Sequence, residues 1–520
     1  MADYDAIVVG CGHNGLVAAF YLAQAGMRVL ALEGRETVGG ACRTDELFPG
    51  YRFSTCAHSF VIFHPQILHD MRLYERGLHV YPRDPAMFQP LRSGQYLLFW
   101  QDLERTKASI AQFSRADAEA FPRWQAFWQQ AARIVAPYLL TEPPTYAELL
   151  ARTADTPDEA LLHRLLFGTT RDLLEEYFES DVMRAALLRP FDSGSLDAPG
   201  ALLYWAIHAA ISHQLTPDAG HQQSRLMGAG YPRGGMGAVT QTMQRAVEDL
   251  GVAVRTHAPV AEILVRANGA LGVRLQDGTE ITGRTVLSNA DPRRTFLRLV
   301  RPEALPAAFL TQVRRLHATA GYLKVHCALK GLPDWTCLPG AHLQPHHFGQ
   351  TQICRSLEMV DQAWLAARTG RLPDEFALGI ITPSVYDDSA APPGHHTASI
   401  WAEYAPVHPP EGWDRLRAET ALRIIGQVAQ YAPNFPDIIQ DTYVWSPWDI
   451  EQQLQITDGS MHHLDMTPDQ MFARRPLPGW ARYRTPVSGL YLCGSGCHPG
   501  GGVTGIPGHN AAQAVLRDLA

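Results

Sequence analysis

An apolar run of strand length, Asp5 to Val9, passes directly into Gly10-Cys11-Gly12-His13-Asn14-Gly15, and that hexad passes directly into a helix-like stretch, Leu16 to Ala25. Few local structures satisfy all three segments at once. The first glycine permits a tight reversal, the second lets backbone approach a diphosphate, and the third lets the helix lie close to the strand. The helix N-terminus, carrying unpaired N–H groups beside His13 and Asn14, then faces the phosphates. After Gly26 a second strand, Arg28 to Leu32, delivers Glu33 at a position 23 residues beyond Gly10. Its carboxylate is placed to accept ribose hydroxyls. A glycine-rich turn alone is weak evidence. Strand before, helix after and an acid at this distance make a dinucleotide-binding βαβ unit.

The next residues bear on which dinucleotide. Gly34, Arg35, the pair Gly39-Gly40 and Ala41 follow in the run EGRETVGGACRT. Two adjacent glycines expose backbone N–H groups to a diphosphate or a flavin edge. This run resembles the second phosphate-contacting turn of flavoproteins in the glutathione reductase and amine oxidase superfamily, which implies FAD as cofactor. Cys42 and Cys56 stand too far apart for the reactive dithiol of the disulfide reductases and read as small packing residues.

Two later stretches read as parts of the same domain. Between Tyr231 and Asp291 come Pro232-Arg233-Gly234-Gly235, a helix pattern through Leu250, and a short strand, Val252 to Arg255. Alternating apolar runs follow, divided by Asn268-Gly269 and Asp277-Gly278, which are hairpin signals. The pattern predicts a small antiparallel meander and then a strand at Thr285 to Leu287. Near the end of the sequence, a strand at Gly489 to Gly494 precedes His498-Pro499-Gly500-Gly501-Gly502-Val503 and a helix from His509 to Leu519. Consecutive glycines before a helix allow backbone to approach a ligand, and the helix dipole favours an electron-rich group there.

Together GHNGLVAA, EGRETVGGACRT, PRGGMGA, VLSNADP and HPGGGVTGIPGHNAA resemble the phytoene desaturase-like flavoproteins over most of the chain. A further run, GSMHHLDMTPDQMFARRP (459–476), is similar to a segment shared by β-carotene ketolases of the desaturase-related type and pyridine nucleotide-disulphide oxidoreductase domain 2 proteins. That similarity places His463, Gln470, Arg475 and Pro476 in one loop. The resemblance implies FAD, a hydrophobic isoprenoid-like substrate, and Val260 meeting the adenine through its backbone, although Val260 reads equally well as a buried strand residue.

The expected fold class is α/β: a Rossmann-like FAD-binding domain of the glutathione reductase/amine oxidase type with an interleaved α+β substrate domain. The first takes 1–75, 225–310 and 480–520; the second takes 76–224 and 311–479. At 520 residues the chain exceeds what one hydrophobic core supports. In the second domain, Trp124, Phe127, Trp128, Ala131, Val135 and Tyr138 fall at helical spacing. Such a face is most simply core, with a lipid-facing or substrate-tunnel role as the alternative. Strands are expected at Gly321 to Leu329, Phe376 to Ile381 and Thr397 to Tyr404, forming the floor of a pocket.

Flavin chemistry needs little acid or base machinery, because the cofactor accepts a hydride and the protein supplies a dry, oriented cavity. Three histidines are the catalytic candidates: His58 after the Gly-Gly turn, His463 in the 459–476 loop and His498 in the glycine-rich tail. Each has a structural alternative. Gly494, Gly501, Gly502 and Val503 are expected against the cofactor. Histidine doublets at 346, 395 and 462 point to opposite faces if extended, so no metal is expected.

A net charge of -8 without dense basic runs excludes nucleic acid as a partner. No stretch approaches the ~20 apolar residues of a membrane helix, and the cysteines form no disulfide framework. A cytoplasmic protein is expected, with peripheral membrane contact left open and the oligomeric state not legible. The reaction expected is carotenoid desaturation or ketolation. An amine-oxidase-like enzyme for a small substrate, or a flavin-containing assembly protein without turnover, are the alternatives.

Overall fold

In the computed structural model, residues 2–188, 194–214, 230–266, 269–319 and 321–520 are described. Tyr4–Val9 lies at the centre of the first sheet, parallel to Val29–Leu32 on one side and Glu280–Ser288 on the other. Ala253–Arg255 extends the parallel set beyond Val29–Leu32, and Leu490–Leu492 extends it beyond Glu280–Ser288. The inner strands are buried on both faces, which is why they read as unbroken apolar runs instead of alternating ones. The helices His13–Gln24 and Ile506–Leu519 begin three residues earlier than Leu16 and His509. In each case the glycine-rich turn is shorter than its composition suggests.

The meander is present, with Val260–Arg266, Gly269–Leu275 and Glu280–Ser288 successively antiparallel. Asn268 lies outside the described residues; at the second turn the Gly278 N–H donates to the Leu275 carbonyl (3.1 Å). The strand expected separately at Thr285 to Leu287 is instead the far end of Glu280–Ser288. Residues 280–284 alternate between exposed and buried, whereas 285–288 are all buried. One strand thus changes from a one-sided antiparallel ribbon to a two-sided parallel sheet along its own length.

The second sheet has seven strands in the order Ile439–Trp445, Gly321–Leu329, His396–Ala405, Ala377–Ile381, Gln350–Ile353, Met87–Pro90, Tyr96–Phe99. Gly321–Leu329 is buried throughout, Lys324 and His326 included. Strands of one sheet therefore come from stretches that alternate along the chain with those of the other, as the α/β class with an interleaved second region requires. Helix Arg115–Val135 buries Trp124, Phe127 and Trp128. Trp124 and Phe127 meet Tyr177 edge-on, and Trp124 also meets Phe178. The aromatic face is helical core, and neither cavity described below reaches it. Among the described residues, no helix is long and apolar enough to cross a membrane.

Candidate functional site

A cavity of about 420 Å³ runs along the C-terminal ends of the parallel strands, where open α/β sheets bind ligands. Gly10, at φ +95°, turns the chain out of the first strand. A Cβ on Gly15 would stand 2.1 Å from the Gly10 carbonyl oxygen, so the third glycine is required by the contact of helix with turn and does not itself line the cavity. Gly12 and Gly39 form a parallel bridge, and the Gly39 N–H donates to the Cys11 carbonyl (2.9 Å). The two glycine turns thereby stand side by side, with Gly10, Gly12, His13, Asn14, Gly39, Gly40 and Ala41 along the wall. No side chain caps helix His13–Gln24 and no acid occupies its first turn. Its first N–H groups are left to meet an anion.

Glu33 lies on the same wall with Gly34 and Arg35. Its Oε2 accepts from the Cys11 N–H and its Oε1 from the Arg35 N–H, each at 3.1 Å. Burial raises its pKa, and the two amides oppose that rise. Val260 lines the far end with Ala258, Pro259 and Gln276. Asn289, Ala290, Asp291 and Arg294 also line the cavity and were not singled out from the sequence; the Asn289 amide donates to the Gly10 carbonyl (3.2 Å). The signal was VLSNADP, whose strand pairs with Tyr4–Val9 and so must end beside the glycine turn. Ser495, Met461 and the stretch 453–456 complete the wall.

A second cavity, of about 230 Å³, adjoins the first, and among the described residues His13, Ala41 and Met461 alone line both. Its walls come from the second sheet (Met87, Tyr322, Gln350, Gln352, Trp401), from helix Ala201–Gln214 (Tyr204, Trp205, His208) and from 56–62. Tyr322 and Trp401 stack on each other at 4.0 Å and 6°. The Tyr322 hydroxyl lies 3.0 Å from the Cys56 thiol. Behind them, the Lys324 Nζ donates to the Ser54 carbonyl (2.6 Å), and burial pushes this lysine down to about 7. Among the described residues, no carboxylate lines this cavity.

The three histidine candidates separate. His58 lines the second cavity, edge-on to Trp401 at 5.9 Å, and neither ring nitrogen has a partner. Burial, then the nearby Lys324 charge, hold it well below the usual imidazole range. His463 lines the first cavity with its Nδ1 sealed and unpartnered, and burial brings it to about 4. His498 lines neither. Its Nε2 donates to the Tyr138 carbonyl (2.8 Å) and its ring lies against Phe472, which makes it a packing residue and corrects the catalytic expectation. The histidine that lines the second cavity from this part of the chain is His462, which sequence reasoning set aside as one of a doublet.

The glycine-rich tail also divides. Gly502 and Val503 line the second cavity. Gly494 and Gly501 line neither; a Cβ there would meet the Asn289 carbonyl oxygen at 2.6 Å and His462 Nδ1 at 2.1 Å respectively. These two glycines serve packing. The loop 459–476 is held by Arg475, whose buried guanidinium donates to the carbonyls of His462, Leu464, Asp465, Gln470 and Ser495. It thereby fixes Met461, His462 and His463 against the two cavities.

An uncapped helix beside two glycine turns, a buried carboxylate and a buried, unpartnered histidine nitrogen fit an adenine dinucleotide. Comparison with known proteins agrees. The family model for flavin containing amine oxidoreductases matches residues 15–516. The chain is 34% identical over 554 aligned residues to pyridine nucleotide-disulfide oxidoreductase domain-containing protein 2 of Mus musculus, covering 99% of this chain and 94% of that one. It is 25% identical to the lycopene-forming phytoene desaturase of Pseudescherichia vulneris, covering 98% of each. In fold it is similar to putrescine oxidase bound to putrescine, with a TM-score of 0.62 and 18% identity, over 99% of this chain and 98% of that one.

Proposed function

The chain belongs to the flavin-containing amine oxidoreductase family, with FAD as its cofactor, and from that premise we propose that it oxidises an uncharged, apolar, isoprenoid-like substrate, by desaturation or ketolation of a carotenoid-type chain. The observation that carries this reading is the second cavity, which joins the cofactor groove and is lined mainly by aromatic, aliphatic and thioether side chains, with Arg83, Gln350, Gln352 and four histidines as polar groups and, among the described residues, no carboxylate. An ammonium substrate calls for a carboxylate or an open aromatic cage. Tyr322 and Trp401 lie face to face at 4.0 Å, so no cation fits between them. The phytoene desaturase relative, by its name, acts on such a polyene.

FAD, when bound, supplies the two-electron acceptor. The chain's own residues do the rest. Glu33 would accept the ribose hydroxyls, the uncapped helix and Gly39-Gly40 would meet the diphosphate, and Val260 would border the adenine. His463 would form part of the groove wall beside the cofactor. The apolar walls orient the substrate and exclude water, which matters because a C–H bond that leaves as hydride needs alignment and a dry site more than it needs a base. His58 on this wall is held neutral by burial and by the nearby Lys324 and Arg83 charges, so it adds no further charge beside the Arg83 guanidinium.

The test is anaerobic addition of substrates to the FAD-loaded protein while flavin absorbance is followed. Bleaching by phytoene or a xanthophyll in detergent, with none by putrescine or benzylamine, is the expected outcome. Bleaching by the amines alone would overturn the proposal. A flavin that no substrate bleaches, together with a tightly held protein partner, would favour the assembly-protein reading.

A further inference from the structure

The second cavity meets the cofactor groove at a junction. Of the three residues that line both cavities, His13 alone carries a polar side chain. Its Nε2 lies 3.1 Å from the Gly502 carbonyl. A carbonyl only accepts, so Nε2 carries the proton. Burial brings His13 to about 4, which leaves the ring neutral above that pH and fixes the other nitrogen as a lone pair. That nitrogen, Nδ1, makes no hydrogen bond among the described residues, and it is not sealed within the protein as both nitrogens of His58 are.

We infer that His13 Nδ1 accepts a hydrogen bond from a hydroxyl of the substrate at this junction, and that the substrate class is therefore an oxygenated isoprenoid, an isoprenoid alcohol, in preference to the bare hydrocarbon. The inference rests on the reading of the second cavity as an apolar substrate site. Arg83, Gln350 and Gln352 also line the second cavity, but at the junction His13 is the one polar side chain, and a hydrocarbon seated there leaves its lone pair desolvated and unpaired. Gly502 holds the ring in the one tautomer that presents this acceptor, so the glycine-rich tail acts on specificity through a backbone carbonyl. His13 is here a binding residue, and its low pKa makes it a poor proton store.

Geraniol and myrcene share a carbon skeleton, and only geraniol carries a hydroxyl. Each is titrated anaerobically into the FAD-loaded protein, and binding is read from perturbation of the flavin spectrum. Geraniol is expected to bind about ten-fold more tightly than myrcene, the size of one well-made hydrogen bond. The variants separate acceptor from tether: an asparagine oxygen falls near Nδ1, whereas a glutamine amide falls near Nε2. His13→Asn is expected to keep the preference for geraniol, and His13→Gln, which retains the Gly502 contact, to lose it. Equal binding of the two ligands by the unsubstituted protein overturns the inference without any variant, and so does a preference that survives in His13→Gln. Failure of both ligands to perturb the flavin overturns the apolar-substrate reading together with this one.

Discussion

The two adjoining cavities are built by opposite means. The diphosphate end of the cofactor groove is shaped by backbone, in glycine turns, an uncapped helix and strand ends, with Glu33 as a buried carboxylate beside them. The second cavity is made of side chains that the second sheet, helix Ala201–Gln214 and residues 56–62 bring from distant parts of the chain. Backbone shape is written in short contiguous runs, because a missing Cβ has its effect within a few residues. Cavity chemistry of the second kind is set by which strands pair, and no local run records that. The groove fixes what cofactor is held and the cavity fixes what is oxidised, so substitutions should divide cleanly between FAD affinity and ligand affinity.

The largest effect is expected at Gly15. Even alanine places a Cβ about 2.1 Å from the Gly10 carbonyl oxygen, and the clash is with backbone that has nowhere to move. Gly15→Val is expected to abolish FAD binding, measured as flavin per polypeptide after reconstitution. A variant that holds stoichiometric FAD would break the claim that the diphosphate end of the groove is a backbone construction. Glu33→Ala comes next. Loss of hydrogen bonds to a charged acceptor, of order 1.5–3 kcal/mol, raises the FAD dissociation constant by about ten- to hundred-fold. Because burial raises the Glu33 pKa, FAD affinity should also begin to fall, as the medium is acidified, at a higher pH than an exposed glutamate would impose.

Trp401→Ala reverses the pattern. It removes half of the stacked pair from the second cavity and touches nothing in the groove. Geraniol affinity is expected to fall by about ten-fold or more while FAD affinity stays within about two-fold, because the indole takes with it both apolar wall area and the stacking partner of Tyr322. Equal falls in both affinities would mean that the two cavities are one energetic unit, and the comparison would fail.

The same contrast explains what the sequence disclosed. The βαβ unit, Glu33, the second glycine pair and the meander were legible because each is a local pattern with one physical solution. Asn289 and Asp291 were not singled out, since their place depends on Glu280–Ser288 pairing with Tyr4–Val9 some 280 residues earlier. Trp124 and its neighbours carried a helical period but no sign of what covered them, and the structure buries them against Tyr177 and Phe178 instead of a substrate. His498 and Gly501 sat in the right motif on the wrong side of it: one turn of chain places Gly502 and Val503 at the cavity and leaves their neighbours to pack. His462, next to His463 in sequence, shows the converse, because adjacent side chains point into two different cavities.

The last effect is a gradual slope with pH instead of a single loss, and it concerns the wall behind the stacked rings. Lys324 is buried with its ammonium on the Ser54 and Cys56 carbonyls and is held to about 7, against an ordinary 10.5. Between those values the unfolded chain binds more protons at this site than the folded one, so its contribution to stability rises with pH across that window and is lost as pH falls through about 7. Lys324→Met removes the group. The difference in unfolding free energy between the unsubstituted protein and this variant is expected to grow by about 1 kcal/mol per pH unit over the window. Denaturant unfolding at a series of pH values measures it, and taking the difference cancels the buried cysteines and tyrosines that titrate in the same range. A flat difference would mean that water reaches Lys324 through the wall of the second cavity. In that case the dry site on which an apolar substrate depends would not exist in solution.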